Sequence, residues 1–208
     1  ISAEALGKAF CNSAHDYFSD PAVNRNFTLS LADSSKIPAL SEALDSFADA
    51  ALIDISAHSS AAGAYSNAAS AAVKMSTEYY HDIGSYMEAV QSEGWISSEA
   101  KTAAADVQSA LGEALLEFSF YGLNEVTGMS IYSYQWYHSY YPDSIYESIL
   151  SFGGETSWDE YQKAVFSSRD AVPQDGYEYD GSPSDAEPIV LNNPAQQHTL
   201  HYGDGYDY

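Results

Sequence analysis

Between residues 3 and 122, apolar side chains recur at spacings of three and four, the signature of helices buried along one face. Leu6, Phe10, Ala14, Tyr17 and Phe18 predict a first helix from Ser2 to the neighbourhood of Asp20 and Pro21. Ile37, Leu40, Leu44, Phe47, Ala51, Leu52 and Ile55 predict a second, capped by Asp33 or Ser34 and closed before the small-residue run SAHSSAAGA. A third pattern starts around Ser60 and runs without a break through Tyr65, Ala69, Ala72, Val73, Tyr79, Tyr80, Ile83, Tyr86, Met87 and Val90 to Gly94. Its first half is alanine and serine, so a neighbour is expected to lie tightly across residues 61–72. A fourth opens on Ser97 or Ser98 and continues through Ala104, Val107, Leu111, Leu115 and Phe118 to a stop at Gly122. One-sided helices bury their stripes only against each other, which predicts an all-α bundle of about five to six helices.

After residue 122 the pattern loosens. Pro142 opens a short helix with Ile145, Ile149 and Leu150, expected to end at Gly153-Gly154. Ser157 to Glu160 has capping-box spacing and begins another, with Trp158, Tyr161, Val165 and Phe166 on one side. From Met129 to Tyr140 the residues also alternate as a strand would, but no partner strand is visible and a helix is the expectation. The helical domain is thus residues 1–169, with core helices in 3–122 and short ones in 123–169; residues 170–208, acidic and nearly free of aliphatic side chains, read as a disordered, tyrosine-rich tail.

Charge narrows the function classes. Thirty acids against seven Lys and Arg give −23. Such a field repels nucleic acid and anionic membrane surfaces, and no apolar stretch of ~18 residues predicts a membrane span. Eight of the acids and none of the bases fall in 170–208, so the body alone carries −15. The single cysteine, Cys11, closes no internal disulfide and reads as a buried, inert thiol. The start ISAEAL, without an initiator Met, and the sequon Asn26-Phe27-Thr28 favour a secreted, extracellular protein.

Catalytic signals are missing from the pattern. Neither a Gly-x-Ser-x-Gly elbow, a phosphate loop nor a dinucleotide fingerprint occurs, so no catalytic residue, cofactor or enzyme activity is expected. His15, His58, His81 and His138 stand singly; only His198 and His201 approach metal-ligand spacing, inside the tail. His15-Asp16 and His81-Asp82 are adjacent pairs that would point apart on a helix. Asp175, Glu178 and Asp180 lack the order of a calcium loop, and no metal site is expected.

Residues 131–142, IYSYQWYHSYYP, hold five tyrosines, a tryptophan and a histidine, more rings than one helix face can bury. Tyr132, Trp136 and Tyr140 are expected to lie exposed, and with the tail residues Tyr177, Tyr179, Tyr202, Tyr206 and Tyr208 they are candidates for self-association or oxidative cross-linking. Stacking on a polysaccharide is the rival reading.

The stretches LGKAF and GSYMEAVQSEGWISSEAKTAAADVQSALGEALLEFSFYG resemble the helical domains of spidroins, the spider silk proteins, both the amino-terminal assembly domain and the folded repeat of egg-case silk. The resemblance spans roughly residues 3 to 122 and implies a secreted, non-catalytic structural protein whose partners are its own copies or other silk-type proteins. Poly-alanine and Gly-rich repeats are missing, and no motif fixes the register of the pH-sensing charges, for which Lys74, Lys101, Glu78, Glu88 and Glu99 lie in the corresponding helices. Charge alone supplies a trigger: protons or divalent cations that discharge a chain at −23 let apolar surfaces meet, below about pH 5 to 6. The alternative is an extracellular binding module for a polysaccharide or an apolar ligand.

Overall fold

A computed structural model of the protein describes residues 1–75, 80–123, 126–133 and 151–170. These are mostly helical, as the periodicity predicted, with a few short strands that it did not.

Helix α1 (Ala3–Ser19) forms as expected, with Ser2 Oγ accepting the Ala5 amide. It does not join the bundle core. Its inner face lies on an antiparallel ribbon of β1 (Phe27–Ala32) and β3 (Leu115–Tyr121), paired in the register Phe27 to Tyr121 and Ser30 to Phe118. Gly7 permits the close approach, since a Cβ there would sit 2.8 Å from the Leu31 methyls; Phe18 stacks on Phe27 at 4.7 Å and Cys11 is buried beneath. The expected fourth helix therefore divides: α5 (Ser98–Ala114) passes straight into β3. Leu111, Leu115 and Phe118 keep helical spacing, but Leu115–Tyr121 also alternates, and pairing with β1 decides the outcome.

The bundle is α2 (Ile37–Ala57), α3 (Ser59–Ala71), α4 (Ile83–Ser92), α5 and α7 (Trp158–Asp170), the last preceded by the short α6 (Ser151–Glu155). Helix α2 buries Leu40, Leu44, Phe47, Ala48 and Ala51 against α5 and α7, while α3 turns Ala61, Ala64, Tyr65, Ala68 and Ala69 onto α4 and α7. The tight neighbour expected across residues 61–72 is thus present, as small side chains allow. Asp33 does not cap α2; its carboxylate accepts the Ser35 amide and hydroxyl one turn earlier. Gly153 and Gly154 lie inside α6, which ends where Thr156 Oγ1 donates to the Phe152 carbonyl. Trp158, Tyr161 and Val165 are buried, as the periodicity predicted.

The unbroken third helix does not form. After Ala71 the chain becomes extended, and β2 (Tyr80–Asp82) pairs with both of its neighbours before α4 begins. On one side Met75 N–H donates to the Tyr80 carbonyl and Asp82 N–H to the Val73 carbonyl. On the other, β4 (Ser130–Tyr132) runs antiparallel, with His81 opposite Ile131. The helix expected over Met129–Tyr140 thus starts as a strand, whose partner was concealed inside the third helical pattern. The Pro142 helix and the tail lie outside the described residues.

Candidate functional site

Of the ring residues nominated from sequence, Tyr132 is the one within the described residues, and its expected exposure is corrected. It is 9% exposed, because pairing with β2 sets its ring against Tyr80 at 5.7 Å and its carbonyl accepts Trp158 Nε1–H at 3.0 Å. Trp136, Tyr140, Tyr177, Tyr179, Tyr202, Tyr206 and Tyr208 lie outside those residues. Among the described residues, no nominated ring lies exposed at a surface.

Among the described residues, exposed large apolar side chains lie on α1 and, singly, at Ile53, Tyr80, Trp95 and Phe118. Leu6, Phe10 and Tyr17 are 61, 65 and 61% exposed, although their spacing marked them as core. They follow one another along a single face at 100° per residue, with Ala3, Ala9 and Ser13 between them, so the stripe bears no charge. Helix α1 is apolar on both sides, and the small residues Gly7, Cys11 and Ala14 take the inner one. Sequence patterning missed this because it ranks a face by bulk, whereas here the close-packed face is the one with small side chains.

A groove of about 490 Å³ lies under the ribbon, lined by Leu111, Leu115, Leu116, Phe118 and Val126 with Gly84 and Thr127 at one end. Its polar rim is occupied. Thr127 Oγ1 accepts the Gly84 amide and donates to Asp82, and Gln108 Nε2 donates to the Gly84 carbonyl. What remains is a largely apolar trough, which Glu117 also lines, with Phe118 stacked on Phe120 at its edge.

Buried polar groups gather where the bundle meets the strands. Asp82, fully buried, caps α4 by accepting the Ser85 amide, and takes the Thr127 and Gly128 amides as well. Asp54 accepts the Tyr65 hydroxyl at 2.7 Å and the Ser97 amide at 3.0 Å, tying α2, α3 and the start of α5 together. Phe47 is ringed by Tyr65, Tyr86, Trp158 and Tyr161. Burial raises the phenols of Tyr65, Tyr86 and Tyr161, the last two hydrogen bonded to each other, so they stay protonated and out of reach of surface chemistry. Burial, then Glu117, pushes the Cys11 thiol up as well.

His81 differs from all of these. Its side chain is fully buried beside Tyr86, and among the described residues neither ring nitrogen has a hydrogen-bond partner. No group of three His, Cys, Asp or Glu side chains able to hold a metal occurs among the described residues, and no helix there is long and apolar enough to cross a membrane.

No family model, curated protein or solved structure matches this chain.

Proposed function

We propose that this chain is a secreted, non-catalytic structural protein of silk type that associates with its own copies when its charge is neutralised by acid or cations. The observation that carries the reading is the charge-free stripe of Leu6, Phe10 and Tyr17 on a chain at −23. At neutral pH mutual repulsion keeps copies apart, and the stripe is a surface on which two copies meet without bringing like charges together. Phe10 and Tyr17 each leave on the order of 100 Å² of ring open, so the patch falls short of the roughly 800 Å² per partner of a stable complex. Weak association, tipped by a change in charge, is what such a patch supports. Asn26, exposed just before β1, leaves its sequon accessible to glycosylation and agrees with secretion.

Light scattering on the eluting chain between pH 7.5 and 5, with and without calcium, tests this. Reversible growth in mass on acidification supports the reading; a monomer of constant mass at every pH and salt sinks it.

The groove under the ribbon favours a second reading, a binding module for an apolar ligand, because leucines line much of it and Gly84, Gln108 and Thr127 on its rim are hydrogen bonded to one another or to Asp82. A fatty-acid probe that is retained by the monomer, and excluded by Gly112→Trp on the groove wall, would select it.

A further inference from the structure

We propose that His81 is an acid-operated latch: protonation of its imidazole releases β2 from β4 and from the bridged segment 73–75, and uncovers Met75, Ile131 and Tyr132. The opening stands by itself; its role as a trigger for assembly rests on the self-association reading.

The geometry carries the argument. His81 is the middle residue of β2, bridged to Lys74 on one side and opposite Ile131 on the other. Its exposure is 0%, and its ring lies 6.2 Å from that of Tyr86. A neutral imidazole in such a place loses a hydrogen bond; an imidazolium loses far more, since it has two donors and a charge. Among the described residues, the surrounding groups offer it no relief. The Lys74 ammonium, on the facing segment, repels it. The Tyr86 phenol, on α4, is held protonated by burial. Asp82, next along the strand, commits its carboxylate to Ser85, Thr127 and Gly128. Strand β4 brings Ser130, Ile131 and Tyr132, none of them acidic.

Burial first, then Lys74, hold the ring down to about 4 from its ordinary 6.5. The sign follows. A group with a depressed folded value contributes its full stability above 6.5, and that contribution drains away as pH falls toward 4. Local release of β2 leaves His81 in water, where it takes up a proton near pH 6.5, so acid pulls β2 away from β4. Between pH 7.5 and 5 the open population rises about thirtyfold. Met75, Ile131 and Tyr132, all buried in the closed state, are apolar surface added to the stripe on α1.

Hydrogen–deuterium exchange on the full chain, corrected for the intrinsic pH dependence of exchange, reads the opening. The expected result is about thirtyfold loss of protection in peptides covering 80–83 and 130–132 between pH 7.5 and 5. The α5 peptides serve as the internal reference, and the pH dependence disappears in His81→Phe, which keeps a ring but cannot titrate. Equal loss in wild type and H81F, or flat protection in wild type, overturns the proposal. Should H81F fail to fold, the His81 ring resonances of the wild-type chain decide it. A ring that stays neutral to well below pH 5.5 while β2 is paired with β4 agrees with the latch, and one that titrates near 6.5 without opening refutes it. Light scattering on the same samples separates the two ideas. Opening without growth in mass leaves the latch standing and removes the assembly reading; growth with β2 still paired does the reverse.

Discussion

One carboxylate, that of Asp82, satisfies the first turn of α4 and the backbone of Thr127 and Gly128 at once. Its removal leaves several buried donors without acceptors, each worth about 1–3 kcal/mol. Asp82→Ala is therefore expected to lower stability in urea unfolding by about 3 kcal/mol or more, and Asp82→Asn by less, because the amide oxygen still accepts. Phe47, touched by aromatic rings on every side, behaves differently: Phe47→Ala removes packing without orphaning a polar group and is expected to cost about 3–5 kcal/mol. Leu44, Phe47, Tyr65, Tyr161 and Trp158 were legible from spacing alone, since each repeats at three or four. Asp82 and His81 were not. Their roles depend on strands that meet across roughly fifty residues of chain, and inside a helical pattern they read as neighbours that point apart.

At the scale of elements, what periodicity could not tell apart was a helix that continues from a helix that hands over to a strand. Leu115 and Phe118 fit the helical spacing, and β1, a partner distant in sequence, makes the choice; Tyr80 misleads in the same way within the third pattern. Small residues were the better guide to contact. The alanines of α3 announced close packing, and Ala68→Leu, at a position with no exposure, is expected to cost about 1–3 kcal/mol by overpacking. Helix α1 is attached to the rest through the ribbon, with Cys11 on its inner face. Cys11 is thus a reporter of docking. With the thiol raised by burial and the Glu117 carboxylate, a disulfide reagent at pH 8 should modify the native chain far more slowly than the urea-unfolded chain, and Gly7→Leu, which drives a side chain into Leu31, should speed modification without unfolding α2–α5. Slow labelling in that variant would mean that α1 is held by something other than the Gly7 contact.

For the whole molecule the decisive balance is between −23 of charge and a modest apolar stripe. Exposed residues contribute little to folding, so the double change Leu6→Ser and Phe10→Ser should leave the unfolding free energy from urea titration within about 0.5 kcal/mol of wild type. The same change should abolish growth in mass at pH 5 if α1 forms the contact. Salt separates the two forces. At about 0.15 M the screening length is already near 8 Å, so raising salt at pH 7.5 should promote association by weakening repulsion, as acid does, while an assembly held by ion pairs would dissolve. Calcium should act at lower concentration than sodium, since each ion cancels two charges. If the double variant associates as wild type does, the contact lies elsewhere. The β2–β4 surface uncovered around His81 is then the next one to test, because it presents Ile131 and Tyr132 only in acid and would give the same dependence on pH with a weaker dependence on salt.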